Sequence, residues 1–414
     1  VDKIAKTIPE GPGQTLDECL KTGAELRQLV DSDPIAKEIV DLAKPLEGLV
    51  RQDGIHAAGV VIGDRPLMEY VPLQQKGADS EVVTQFPMGD VEALGLLKMD
   101  FLGLRNLDVI DHAVGLIGNG LDIRTIPLDD RRTYEMLARG EATGVFQFES
   151  SGMREALRQV KPTEFEDLIA LVALYRPGPM AYIPGYARRK AGQEQVTFAD
   201  PRLEPITRGT YGICIYQEQY MQISKELGGF DPAGADDLRK AIGKKNHELM
   251  ASLKPKFIQG CGENGVSERV AESLWADMEK AQDYSFNKSH AACYALIAYQ
   301  TAWLRANHPC EYMAALISSV MNTKDKVPFY VNTCDEMGIQ VLPPDVNSSQ
   351  IDFAVVDGKI RFGLNAVKGV GETASAAIIR AREEGGRFTS IFDFTERVDA
   401  QVSNKRVLEA LIKC

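Results

Sequence analysis

Apolar residues recur at helical spacing through the first fifty positions. Thr15 can cap a turn before Leu16, Cys19 and Leu20, and Leu26, Leu29 and Val30 continue the stripe. From His56 the period shortens to two. Gly59-Val60-Val61-Ile62, Tyr70-Val71, Val82 to Phe86 and Leu94 to Phe101 read as short strands between Gly, Pro and Asp turns. After Asn106 helical spacing returns over Thr133 to Ala138, Arg154 to Val160, Glu164 to Leu174, Gln217 to Leu227, Ala233 to Ile242, Val270 to Ala281 and Ala291 to Ala306. The string Arg176-Pro177-Gly178-Pro179 interrupts this region, because two prolines so close forbid a helix. Residues 339–363 read as strands again, with Pro343-Pro344-Asp345 as a turn, before a helix-like Thr373 to Ala381. Phe146, Phe148, Trp275 and Trp303 are read as core. The pattern predicts an α+β, multi-domain chain, mainly helical around a small mixed sheet.

Length and composition bound this picture. At 414 residues two to four domains are expected, and 44% hydrophobic residues can fill their cores. No apolar run reaches the roughly eighteen residues that a membrane span requires, and Val1 begins no signal peptide, so no membrane partner and a cytoplasmic location are expected. Seven scattered cysteines without C-x-x-C spacing fit a reducing compartment and argue against zinc. A net charge of -12 argues against phosphate binding in general, although local distribution counts more than the sum. Between Arg239 and Lys256 stand six basic residues and one acid, and between Arg176 and Lys190 four basic residues and none. A basic groove in an acidic shell is one reading; solvated basic faces are the other.

The segment Lys98-Met99-Asp100-Phe101-Leu102-Gly103-Leu104-Arg105-Asn106 puts one carboxylate into an apolar run that otherwise reads as a buried strand. Side chains two apart on a strand share a face, so Lys98 and Asp100 point the same way. A cation beside an anion at a strand end suggests a phosphate-and-metal site, and equally a structural ion pair. Farther on, Lys240 and Lys244 share a helix face, as do positions 241 and 245. Phe362-Gly363-Leu364-Asn365-Ala366-Val367-Lys368-Gly369-Val370-Gly371-Glu372 resembles a helix-hairpin-helix, in which Gly369 and Gly371 allow close approach to a phosphate at a helix N-terminus and Lys368 adds charge.

Seven strings in fixed order make the chain as a whole resemble the family C DNA polymerases, the bacterial replicative polymerase III alpha subunits. They are Ile55-His56-Ala57-Ala58-Gly59-Val60-Val61-Ile62, the Lys98 to Arg105 segment, Gly144-Val145-Phe146-Gln147-Phe148-Glu149-Ser150, Ala173-Leu174-Tyr175-Arg176-Pro177-Gly178-Pro179, Tyr216-Gln217-Glu218-Gln219, Asp237 to Lys245 and Phe286-Asn287-Lys288-Ser289-His290. The resemblance covers essentially the whole chain. It implies a helical thumb over residues 1–55, the C-terminal part of the palm over 56–106, helical fingers over 107–338, and a small strand region with helix-hairpin-helix over 339–414. It also implies that the Asp-x-Asp pair of the family's palm precedes Val1 and that this is an internal fragment, inactive alone.

By the same resemblance the reaction is template-directed deoxynucleotidyl transfer by two magnesium ions. Asp100 is implied as a catalytic, metal-binding carboxylate, and Lys98 as the cation that neutralises a triphosphate or primer phosphate. Arg239, Lys240, Lys244, Lys245, Asn287, Lys288, His290 and Arg176 are implied in nucleotide binding, with Tyr294 in the same polar cluster. Arg176 reads equally as a turn-stabilising arginine and His290 as a structural histidine. Tyr216-Gln217-Glu218 is expected to shape the nucleotide pocket, or Glu218 to be a helix-start carboxylate. His56 and Gly59, with Lys368, Gly369 and Gly371, are implied in DNA contact. Primer-template DNA and deoxynucleoside triphosphates are the implied partners, with the sliding clamp and other replisome subunits engaged through the full-length chain. Two other classes remain open: a non-catalytic nucleic-acid-binding scaffold, and a metal-dependent phosphohydrolase, which the absence of ligand spacing disfavours.

Overall fold

A computed structural model describes residues 2–8, 15–50, 52–323, 325–402 and 404–414. The chain forms two compact units, Val1–Gly103 and Leu104–Cys414.

In the first unit, helices α1 (Asp2–Ala5), α2 (Leu16–Thr22), α3 (Ala24–Ser32) and α4 (Pro34–Ala43) bring Ile4, Cys19, Leu26, Ala36 and Val40 into one small core. Their starts are locally encoded. Thr15 accepts the N–H of Glu18, and Asp33 accepts that of Ile35 beside Pro34, whose missing N–H costs nothing at a first helical position. Beyond them lie β1 (Gly59–Ile62), β2 (Leu73–Gln74), β3 (Val83–Thr84), α5 (Met88–Ala93) and β4 (Leu97–Asp100). β1 and β4 pair antiparallel, with Gly59 opposite Asp100 and Val61 opposite Lys98; β2 pairs with β3. Two expectations fail here. Tyr70-Val71 closes a 3-10 turn over Leu67–Glu69 instead of forming a strand, bracketed by Pro66 and Pro72. The Leu96 to Leu102 run does form a strand, but not a buried one. Leu96 alone is buried, while Leu97, Met99, Phe101 and Leu102 are exposed, because a two-stranded ribbon offers no second layer of strands for its apolar face to pack on.

The second unit is a helical assembly. It contains α6 (Arg105–Ile117), α7 (Arg131–Ala138), α8 (Ser151–Val160), α9 (Phe165–Leu174), α10 (Ile183–Lys190), α11 (Leu203–Thr207), α12 (Gln217–Glu226), α13 (Pro232–Gly243), α14 (His247–Glu263), α15 (Glu268–Tyr284), α16 (Lys288–Asn307), α17 (Pro309–Ser319) and α18 (Lys326–Glu336). α9 is apolar nearly all round, as a central helix must be, and packs against α16. Phe148 and Trp275 are fully buried, and Phe146 and Trp303 pack partly buried against the core. Helices α6, α10, α11, α14, α17 and α18 are additions to the periodicity reading. All but α6 carry a proline, which sits in the first turn of α10, α11, α17 and α18 and inside α14 at Pro255. A three-stranded sheet follows, with β5 (Val341–Leu342) parallel and β6 (Ala354–Val356) antiparallel to the central β7 (Lys359–Arg361). Helices α19 (Glu372–Gly385), α20 (Ile391–Arg397) and α21 (Lys405–Lys413) complete the unit. The α+β, mainly helical class read from the sequence is the class observed. Among the described residues no helix is long and apolar enough to cross a membrane.

Candidate functional site

Pairing Gly59 with Asp100 assembles a polar cluster on one face of the β1–β4 ribbon. The Lys98 ammonium donates to Asp100 Oδ1, and His56 Nδ1 stands 3.8 Å from the same oxygen. A Cβ at Gly59 would come within 2.9 Å of both His56 Nδ1 and Lys98 Cε and 3.3 Å of Asp100 Oδ1, so only glycine leaves room for the three side chains to meet. The Lys98 hydrogen bond, and then the charges of Lys98 and His56, hold the Asp100 carboxyl below the ordinary aspartate range. Lys98 is 15% exposed and Asp100 45%. His56, Gly59 and Lys98 line a cleft of about 890 Å³ whose other walls come from Asp53 to Ala58 and Val82 to Met88. Asp100 stands beside the cleft rather than in its wall.

A hard divalent ion needs several oxygen ligands. Among the described residues no three His, Cys, Asp or Glu side chains converge to hold one. Asp100 offers a single carboxylate already engaged by an ammonium group. The residues present therefore do not by themselves fit a magnesium site.

In the second unit the basic tract at the end of α13 is less free than its sequence suggests. Arg239 pairs with Asp236 at 2.8 Å, and Lys240 reaches Asp236 at 3.0 Å and Asp237 at 3.4 Å. Lys254 pairs with Glu272 and Lys256 with Asp231. Arg188 and Arg189 share Glu194, while Lys190 is drawn onto the fully buried Asp167. Runs counted as poor in acids or free of them are thus largely neutralised by acids just outside them or brought in by folding. Lys244 is exposed and makes no ion pair among the described residues, and Lys245 is exposed on a left-handed backbone turn.

Around the starts of α12 and α16 the polar residues are mostly occupied with one another. Asn287 caps α16 by accepting the N–H of His290, and Glu218 accepts the N–H of Lys288 through both oxygens, at 3.1 and 3.0 Å. Glu218 is thus a helix-start carboxylate twice over, standing in the first turn of its own helix α12 and accepting the first amide of α16. Lys288 Nζ pairs with Glu166 at 3.2 Å, and the His290 ring meets Phe286 edge-on and lies tilted against Tyr294. Tyr216 is 2% exposed, inside the core rather than on a pocket wall. Arg176 donates to the carbonyls of Ala173 and Tyr284 and lies over the Phe286 ring, the contacts of a turn-stabilising arginine. Its burial lowers its pKa.

At the C-terminal hairpin the geometry follows the sequence closely. A short turn over Leu364–Ala366 leads through exposed Lys368 and through Gly369, at φ +98°, to Gly371, the N-cap of α19. Val367, Val370, Ala374 and Val407 form the core beneath. A Cβ at Gly369 would lie 3.6 Å from Arg406 Nε. Arg406 was not singled out from the sequence, where nothing local ties it to the hairpin; only the packing of α21 brings it there.

Three family models match successive parts of the chain. They are the bacterial DNA polymerase III alpha NTPase domain over residues 1–103, the bacterial DNA polymerase III alpha subunit finger domain over 106–265, and a helix-hairpin-helix motif over 338–414. Curated relatives named DNA polymerase III subunit alpha include those of Thermus aquaticus, 48% identical over 423 residues, of Escherichia coli strain K12, 44% over 428, and of Neisseria meningitidis, 44% over 419. Each alignment takes in 100% of this chain and 35%, 37% and 36% of the relative, respectively, so the chain spans little more than a third of their length.

Proposed function

We propose, from the premise that this chain belongs to the bacterial DNA polymerase III alpha subunit family, that it forms the part of a replicative, DNA-directed DNA polymerase that meets nucleotide and duplex. Residues 1–55 act as thumb, 56–106 as part of the palm, 107–338 as fingers and 339–414 as a duplex-binding region. The observation that carries the reading is the Lys98, Asp100 and His56 cluster at the edge of a nucleotide-sized cleft. Asp100 would supply one carboxylate to a magnesium-dependent centre that the described residues of this chain do not complete by themselves. Lys98 holds that carboxylate ionised and presents positive charge to a phosphate in the cleft. Lys244, with Lys245 beside it and Arg239 and Lys240 paired to Asp236 and Asp237, attracts the triphosphate. Lys368, Gly369 and Gly371 hold the duplex backbone. The parent protein works in the cytoplasm and engages the sliding clamp and other replisome subunits through other segments. Primer extension by a polypeptide of the relatives' full length tests this. Incorporation directed by the template base supports the polymerase reading, and DNA binding with no incorporation supports the non-catalytic scaffold.

A further inference from the structure

A second, smaller cleft of about 200 Å³ lies within the second unit, where three segments distant in sequence meet. Arg105 comes from the start of α6, Gln147 and Glu149 from the turn before α8, and Lys326 from the start of α18. Arg105 and Lys326 are both exposed, and neither makes an ion pair among the described residues. Glu149 is the one carboxylate in the wall and accepts a hydrogen bond from the Tyr330 hydroxyl at 3.3 Å, so the wall carries a net positive charge. Asp108 and Asp325 neighbour the two cations in sequence but do not line the cleft.

Cations at the first position of a helix oppose the helix dipole, and here two do so in one cleft. Neither helix start has a side-chain cap. Gln147 is held at φ +64°, a costly backbone for this residue, between the inward-turned Phe146 and Phe148, and lines the cleft. A space of this size is below the roughly 300 Å³ at which pockets begin to take whole drug-sized ligands, but it admits a phosphoryl group with water.

We propose that this cleft binds one phosphoryl anion through Arg105 and Lys326, and that its source is the backbone of a DNA strand passing over the second unit. The assignment of the strand rests on the polymerase reading; anion capture by the cleft does not. Gln147 donates the third contact, and Glu149 sets the lower wall.

Two titrations of the whole chain test it. In the first, inorganic phosphate is followed by calorimetry. Saturable uptake is expected, lost in the Arg105→Gln/Lys326→Gln double variant and kept in Arg105→Lys/Lys326→Arg, with the thermal midpoint of the charge-conserving variant unchanged and that of the glutamine variant not lowered. Absent uptake, or uptake that survives the double glutamine variant, overturns the site. In the second, the affinity for a single-stranded oligonucleotide is measured against salt. The glutamine variant is expected to flatten the log–log slope by about 0.7, one strand phosphate. Phosphate uptake with an unchanged slope overturns the strand and leaves a free-anion site. No DNA binding by the unsubstituted chain counts against the polymerase reading, while the phosphate titration still decides the cleft.

Discussion

Glu218, in the first turn of α12, holds the first amide of α16 at Lys288 with both carboxylate oxygens. The contact ties together two helices that bound the polar cluster of the second unit, and it places a negative charge where the dipole of α16 is positive. Glu218→Ala should therefore lower stability by about 1 to 2 kcal/mol, and Glu218→Gln by less, in urea unfolding. An alanine variant as stable as the parent would show that water replaces the carboxylate at no cost.

The Asp167–Lys190 pair is a stronger case because it is out of water. Asp167 is fully buried, receives Lys190 Nζ at 3.0 Å and the Tyr186 hydroxyl at 3.0 Å, and accepts the N–H of Thr163. Burial first, and then the Asp167 charge, push the Tyr186 hydroxyl far above its ordinary pKa, so it remains a donor. Removing the carboxylate leaves the ammonium group without its counter-charge and with the Thr163 hydroxyl at 2.7 Å, and Asp167→Ala should cost about 3 to 5 kcal/mol by denaturant titration. A loss below about 1 kcal/mol would mean that Lys190 swings out to solvent.

What the sequence revealed and what it concealed divide along the same line. The α12 reading, Gln217 to Leu227, lies within a residue of the observed Gln217–Glu226, because helical period and caps are local. The Lys98–Asp100 contact was legible for the same reason, since a strand's alternation fixes it. The freedom of charges was not. Counting from Arg239 left out Asp236 and Asp237, one turn earlier, and no spacing rule joins Lys190 to Asp167 across a helix packing. Exposure of the apolar strand face was hidden for the opposite reason: hydrophobic pattern states which face is apolar, not whether anything covers it.

At the first unit's cluster, Lys98→Met should raise the Asp100 carboxyl toward the ordinary aspartate value, since the Lys98 hydrogen bond is the chief cause of its depression. With the folded-state pKa depressed, the pair's stabilisation is fully present above the unfolded-state value and is lost as pH falls through the folded one. The variant should therefore show a weaker acid-side dependence of stability. Carboxyl carbon NMR titration of Asp100 reads the shift directly, and an unmoved midpoint would assign the depression to His56 instead.

Lys244, the cation of the α13 tract with no ion pair among the described residues, should matter more than its paired neighbours. In a polypeptide of full relative length, Lys244→Ala should raise the nucleotide KM roughly tenfold through loss of one charge-assisted contact, and change primer-template affinity much less. An unchanged KM would remove the residue from nucleotide capture.

Asp100 carries the account's central claim, that a carboxylate tethered by Lys98 at the edge of the cleft takes part in nucleotidyl transfer. The direct test is single-turnover primer extension by the full-length polypeptide carrying Asp100→Asn, with primer-template affinity measured on the same preparation. Extension should fall by at least about a thousandfold, more than 4 kcal/mol of transition-state stabilisation, while DNA affinity stays within about twofold. Extension at the unsubstituted rate would contradict the claim.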